Sequence, residues 1–118
     1  MTDPLVAALL VGLGGSLGAA SRHAVGITIE GRESVVVVNA LGSFTLGVVL
    51  AAPVGSTALW IVGVGFCGAF TTFSSFAVET VSTAEDGEVG VASAFAVGNL
   101  LSALLGLGIG LAVGALAV

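Results

Sequence analysis

The residues of this chain best suited to chemistry crowd into Gly65 to Phe76, which reads GFCGAFTTFSSF and holds two threonines, two serines, two glycines and no charge. Phe73 and Phe76 are three apart and would share one face of a helix. A phenyl ring has a negative face and a positive edge, so the edge attracts an anion and the face a cation. Hydroxyl and amide groups beside such rings can replace the hydration shell of a small ion, as backbone carbonyls do for potassium. This inventory suits a small-ion pathway, with an anion the better match to ring edges. The plainer alternative is that the rings fill a core.

Other polar residues stand inside apolar runs, where each is expensive and asks for a reason. Asn39 is followed one turn later by Ser43, and Asn99 has Ser102 nearby. An amide offers donors and an acceptor, so each asparagine could ligate an ion or staple two helices. Arg22, at the end of the first apolar run, could snorkel to the interface or draw anions to a pore entrance. Its neighbour His23 has no second ligand at metal-binding spacing. Glu79 follows Phe76 by three residues, and it either meets water at a helix end or serves the polar stretch. Cys67 is the only cysteine and reads as a small packing residue.

The elements that must position these groups follow from composition. Hydrophobic residues make up 57% and charged residues 8%, where soluble domains run at about 25% charged. With a mean hydropathy of +1.23, the chain reads as one all-α membrane domain over residues 1–118. Four apolar runs, at about 4–21, 34–52, 57–78 and 89–118, approach or exceed the length needed to cross about 30 Å of hydrocarbon. Asp3 and Pro4 open the first as cap and first-turn proline. The segment before it lacks the basic residues of a cleavable signal, so the first run is expected to remain. Unpaired backbone in lipid is tolerated only where protein buries it or it lines a polar cavity. Gly65 and Gly68 are therefore expected to loosen a broken third helix, with the hydroxyls of Thr71, Thr72, Ser74 and Ser75 supplying donors in its place.

Small residues recur at helix-packing spacing: Gly14 and Gly18, Ser43 and Gly47, then Ser102, Gly106, Gly110 and Gly114. They predict close helix pairs, and so small a bundle is expected to pack against a second copy. Orientation is weakly specified, because the only positive residues in the chain are Arg22 and Arg32. The net charge of -5 excludes a nucleic-acid role, and an acidic chain without lysine is in keeping with a salt-rich cytoplasm. No catalytic triad, phosphate loop or HExxH motif occurs, so no enzyme is expected.

The chain resembles the fluoride channels of the Fluc family, also called CrcB proteins. Gly14, Gly15, Gly18, Ala19 and Arg22 match its GGxxGAxxR opening, and Val38, Asn39, Gly42, Ser43, Phe44 and Gly47 match its VNxxGSFxxG. Gly65 to Phe76 is similar to GFCGGFTTFSTF, with Glu79 at the acidic position that follows. The resemblance implies a passive, fluoride-selective channel of the cell membrane that exports cytoplasmic fluoride and limits its toxicity. It implies four transmembrane helices with a broken third, assembled as an antiparallel dual-topology homodimer, or with a sister chain of opposite orientation. By the same likeness Phe73 and Phe76 would be ring-edge ligands and Asn39 a pore-lining donor. Thr72 and Ser75 would belong to a hydroxyl track, with Ser43 and Asn99 on the same fluoride pathway. The backbone carbonyls of Gly68 and Thr71 from both subunits would hold a central structural Na+. Four residues depart from the family pattern: Ala69 would stiffen the break slightly, Ser75 keeps the hydroxyl of a usual threonine, and Phe95 and Ala103 thin the outer part of the track.

Two other readings compete. A small dual-topology drug and proton exporter would need a carboxylate embedded in the first run, and residues 4–21 have none. A non-transporting assembly subunit would use the glycine stripes but leave TTFSSF and Asn39 without a purpose.

Overall fold

The computed structural model describes residues 2–117. Helix α1 spans Pro4–Thr28 and α2 spans Arg32–Ala51. The third span runs over Ser56–Glu85, built from a short turn α3 (Ser56–Ala58), a π-helical stretch Leu59–Phe66, α4 (Cys67–Phe70) and α5 (Ser74–Glu85). Helix α6 spans Val89–Ala115. All four spans are long and apolar enough to cross a membrane, and the chain is a multi-pass membrane protein.

Local sequence explains most of the boundaries. Asp3 caps α1 by accepting from the backbone N–H of Leu5 at 2.9 Å, with Pro4 in the first turn. The run expected to stop at residue 21 continues to Thr28. Arg22 and His23 change the polarity of the helix surface without removing a backbone donor, so they do not end it. The break comes instead at Ile29, which is extended, and at Gly31, whose φ of 69° favours glycine. Pro53 follows the end of α2. Gly87 closes α5 at φ 85°, with its N–H on Ala84 O at 3.0 Å and that of Glu88 on Thr83 O at 3.2 Å, a Schellman motif. The third span therefore runs beyond the expected residue 78 to Glu85. The last helix ends at Ala115, short of the expected 118, which itself lies outside the described residues.

Two seams build the bundle. A methyl added at Gly14 would overlap the carbonyl of Ile61, and one at Gly18 that of Phe66, while at Gly65 it would come 2.6 Å from Val11 O. On the other side Gly106 faces Ala40, Gly110 faces Phe44 and Gly114 faces Val48 at a constant offset, and Gly47 lies against Leu107. In both seams the paired positions advance together, so α1 runs parallel to the third span and α2 parallel to α6. Lipid removes the hydrophobic drive between helices, and backbone contact of this kind replaces it. Leu5, Leu9, Leu13 and Leu17 form an exposed stripe on α1, away from buried Ala7, Gly14 and Gly18. That stripe suits hydrocarbon.

Gly65 lies in the π-helical stretch Leu59–Phe66 and also packs closely against Val11. The helix opens farther on, at Thr71 to Phe73, where Thr71 is extended (φ -79°, ψ 162°). A span of 30 residues, against the roughly 20 needed to cross, has the length to accommodate a non-helical step.

Candidate functional site

A helix break strands the last carbonyls of one segment and the first N–H groups of the next. Here side chains answer for one residue of it. The Thr72 N–H donates to Asn39 Oδ1 at 2.8 Å, and the Thr72 carbonyl accepts from Asn39 Nδ2 at 3.0 Å. Thr72 Oγ1 accepts from the N–H of Ser75 at 3.1 Å and so caps the start of α5. The amide of Asn39 donates also to Asn99 Oδ1 at 3.2 Å. Both asparagines are buried, so these bonds form in a low-dielectric site where an unpaired group is costly. Of the two uses open to Asn39, the staple is formed: it ties α2 to the break and to α6.

Other groups at the break stay open. Thr72 gives its N–H to Asn39, so the carbonyl of Gly68, four residues back, receives no backbone N–H among the described residues. Among the described residues the Thr71 carbonyl is met only by Arg22 NH1 at 3.5 Å, a length at which a hydrogen bond is weak. Thr71 Oγ1 turns back onto Cys67 O at 2.9 Å, so it is not free to serve as a donor along a route. Gly42 lies under Thr71, where a methyl would strike the threonine Cγ2.

The rings form a row. Phe73 and Phe76 lie 5.9 Å apart between centroids, and Phe76 and Phe95 lie 5.5 Å apart. Phe73 is 78% exposed, Phe95 is buried, and Phe76 stands between them in exposure. A core reading therefore fits Phe95 and fails for Phe73.

Two adjoining cavities collect the candidate residues. A groove of about 720 Å³ between the seams is lined by Asn39, Ser43, Gly68, Thr71, Phe73, Phe76 and Asn99, with Thr72 at its end. A vestibule of about 340 Å³ is lined by Arg22, His23, Ser34, Ser75 and Glu79, again with Thr72. Thr72 is their shared wall. Ser43, read as part of a packing stripe with Gly47, faces the groove instead, and its hydroxyl makes no hydrogen bond among the described residues. Glu79 stands inside α5, half-buried in the vestibule, rather than at a helix end. Ser102 is half-buried in α6 and lines neither cavity.

Three features escape a reading of the residues. The clamp of Asn39 on Thr72 joins positions far apart in sequence, and only the general cost of a polar group in a membrane signals it. His23 joins the vestibule because α1 overruns its expected end, and Ser34 enters it from the first turn of α2. Arg32 NH1 donates to buried Thr83 Oγ1 at 3.1 Å, tying α2 to α5; their proximity has no local sequence signal.

Residues 9–111 match a family described as CrcB-like protein, Camphor Resistance (CrcB). A relative from Natronomonas pharaonis, called fluoride-specific ion channel FluC 2, is 52% identical and covers 94% of this chain and 97% of its own. One of the same name from Haloarcula marismortui is 51% identical over 89% of this chain and 91% of its own. A fluoride-specific ion channel FluC from Thermus thermophilus is 40% identical over 82% and 84%. With its broken third span, its two cavities and these likenesses, the chain belongs to the CrcB family.

Proposed function

We infer that the chain is a fluoride-selective ion channel, a passive route that lets fluoride leave the cytoplasm and so limits its toxicity. Near full-length likeness to relatives named for fluoride carries this reading. The chemistry of the two cavities supports it. Fluoride is small and holds its hydration shell tightly, so a selective route must replace water with donors at every step. Arg22 collects the anion in the vestibule. Ser75 and Thr72 pass it to the groove; Thr72 uses its oxygen to cap α5, which leaves its hydrogen for an anion or for Ser74 Oγ at 3.5 Å. Phe73 and Phe76 meet it with ring edges, and Ser43 and Asn99 line the way beyond.

The same reading includes a second copy in antiparallel orientation, or a sister chain of opposite orientation. Support comes from the ring of Phe73, 78% exposed beside an open groove, and from an orientation signal that rests on Arg22 and Arg32 alone. It includes also a structural Na+ on the carbonyls of Gly68 and Thr71. These oxygens suit a hard cation, and the Gly68 carbonyl carries no backbone bond while its glycine has open space beside it. Two carbonyls are too few for one ion, so the site calls for a partner's pair. Bound there, the ion would supply the charge that holds two breaks together.

Fluoride efflux from liposomes containing only the purified chain, with a chloride control, tests the function. Fast fluoride release with chloride retained is expected. Equal release of both ions would overturn selectivity. Silence from the chain alone, and again with an adjacent homologous chain added, would overturn the channel.

A further inference from the structure

Helix α5 is anchored unevenly. It packs on α6, where Phe76 meets Phe95 at 5.5 Å between ring centroids, and only lightly on α2, while α1 stands off across the vestibule. Non-helical backbone bounds it on both sides, at Thr71 to Phe73 before it and at Gly87, with φ 85°, after it. Ser75, Glu79 and Thr83 recur at every fourth residue, so they follow one another along one face of α5. The first two line the vestibule together with Arg22 and His23 of α1. Thr83, one turn farther along, is buried and accepts from Arg32 NH1 at 3.1 Å. Among the described residues no other side-chain hydrogen bond joins α5 to α1, α2 or α6.

Arg32 is badly placed for its own helix. It is the first residue of α2, where the helix dipole disfavours a cation, yet its guanidinium reaches the last turn of α5, whose dipole favours one. Electrostatics thus adds to the hydrogen bond. Gly31 and Ser34, on either side of Arg32 in sequence, line the vestibule as well, so the bond closes that cavity along one edge. We propose that Arg32 is a positioning residue for the anion vestibule: by holding Thr83 it fixes the far end of α5, and with it the width of the space between α5 and Arg22. The proposal rests on the fluoride-channel reading. Arg32 itself lines neither cavity, and it acts through α5. Released from α2, α5 would swing about the break and admit more water and salt, which screen Arg22 and weaken its hold on an anion.

Fluoride flux measured over a range of fluoride concentrations, together with hydrogen exchange along α5, tests this with the unaltered chain in parallel. Thr83→Val keeps the shape of the side chain and removes the acceptor, and it leaves both arginines, and with them the orientation signal, in place. Flux at fluoride well below saturation is expected to fall by about threefold or more, while the rate at saturating fluoride stays within about twofold. Arg32→Gln, with its shorter and uncharged side chain, should do the same, and the two changes together should do no more than either alone. Thr83→Ser keeps the hydroxyl and should recover most of the loss. Amide exchange should quicken along α5 in Thr83→Val and in Arg32→Gln, and stay unchanged in α1. Low-fluoride flux of Thr83→Val equal to that of the unaltered chain would overturn the proposal, because Arg32 would then act by charge alone. An equal loss at every fluoride concentration would overturn it too, because that means fewer folded channels. An unaltered chain that passes no fluoride would sink the channel reading instead, and exchange along α5 would still decide whether Arg32 holds it. Should Thr83→Val not fold, Arg32→Gln carries the decision by the same split between low and saturating fluoride.

Discussion

Helix α2 makes two contacts of opposite kind. Along its seam with α6, backbones touch where Gly106, Gly110 and Gly114 face Ala40, Phe44 and Val48. At Asn39, on the same helix, the partner is a stretch of the third span with no helix left, held by amide hydrogen bonds. The seam is stable because side chains are missing, the break because one is present. In a membrane, shape can hold regular helices together, but irregular backbone must have each polar group answered. The groups left unanswered at the break face a cavity, which is where a channel needs them.

Substitutions can break this contrast, and the largest effect belongs to the seam. Gly110→Leu drives a side chain into the Phe44 backbone, and overpacking against main chain that cannot move should cost on the order of 3 kcal/mol or more. Loss of monodisperse protein in detergent is the expected result, with a thermal melt as the check. Next comes Asn39→Ala, which leaves the Thr72 N–H and carbonyl unpaired. Two orphaned groups predict a loss of about 2–5 kcal/mol, visible as a lower melting temperature together with faster amide exchange at Thr72.

Smaller effects sharpen the boundary between the two regions. Arg32→Gln removes the guanidinium that donates to Thr83, and the cost should stay near 1 kcal/mol because one hydrogen bond to a charged donor is lost at the bundle end. Gly108→Ala provides the control for the seam, because a methyl there meets nothing within 4 Å. It should shift stability by less than about 1 kcal/mol, in the stabilising direction if the helix gains from the lost backbone freedom. A large loss at Gly108 would show that the exposed face of α6 also packs tightly.

The seams were legible in the sequence because both partners of a stripe repeat every fourth residue on one helix. The break was legible as well, since hydroxyls at 71, 72, 74 and 75 have no reason to stand in lipid. The residue at which it opens was not: glycine at 65 signals freedom and close approach alike, and Gly65 shows both, in a π-helical stretch against Val11, while the helix opens at Thr71. Span ends erred for a related reason. Arg22, His23 and Glu79 look like interfacial residues, yet a helix continues through polar positions when its backbone bonds are intact, and the vestibule is built from that overrun. The clamp of Asn39 was not legible from residue type alone, because the Thr72 peptide it holds lies 33 positions away.

The central claim is that fluoride crosses at the break, past the ring of Phe73. Fluoride flux through Phe73→Ile, measured beside the unaltered chain in liposomes of the same protein content and with oligomeric state checked by cross-linking, tests it most directly. The account predicts that assembly persists while flux falls by about a hundredfold. Fluoride passing at the unaltered rate through Phe73→Ile would contradict it and place the route elsewhere in the bundle.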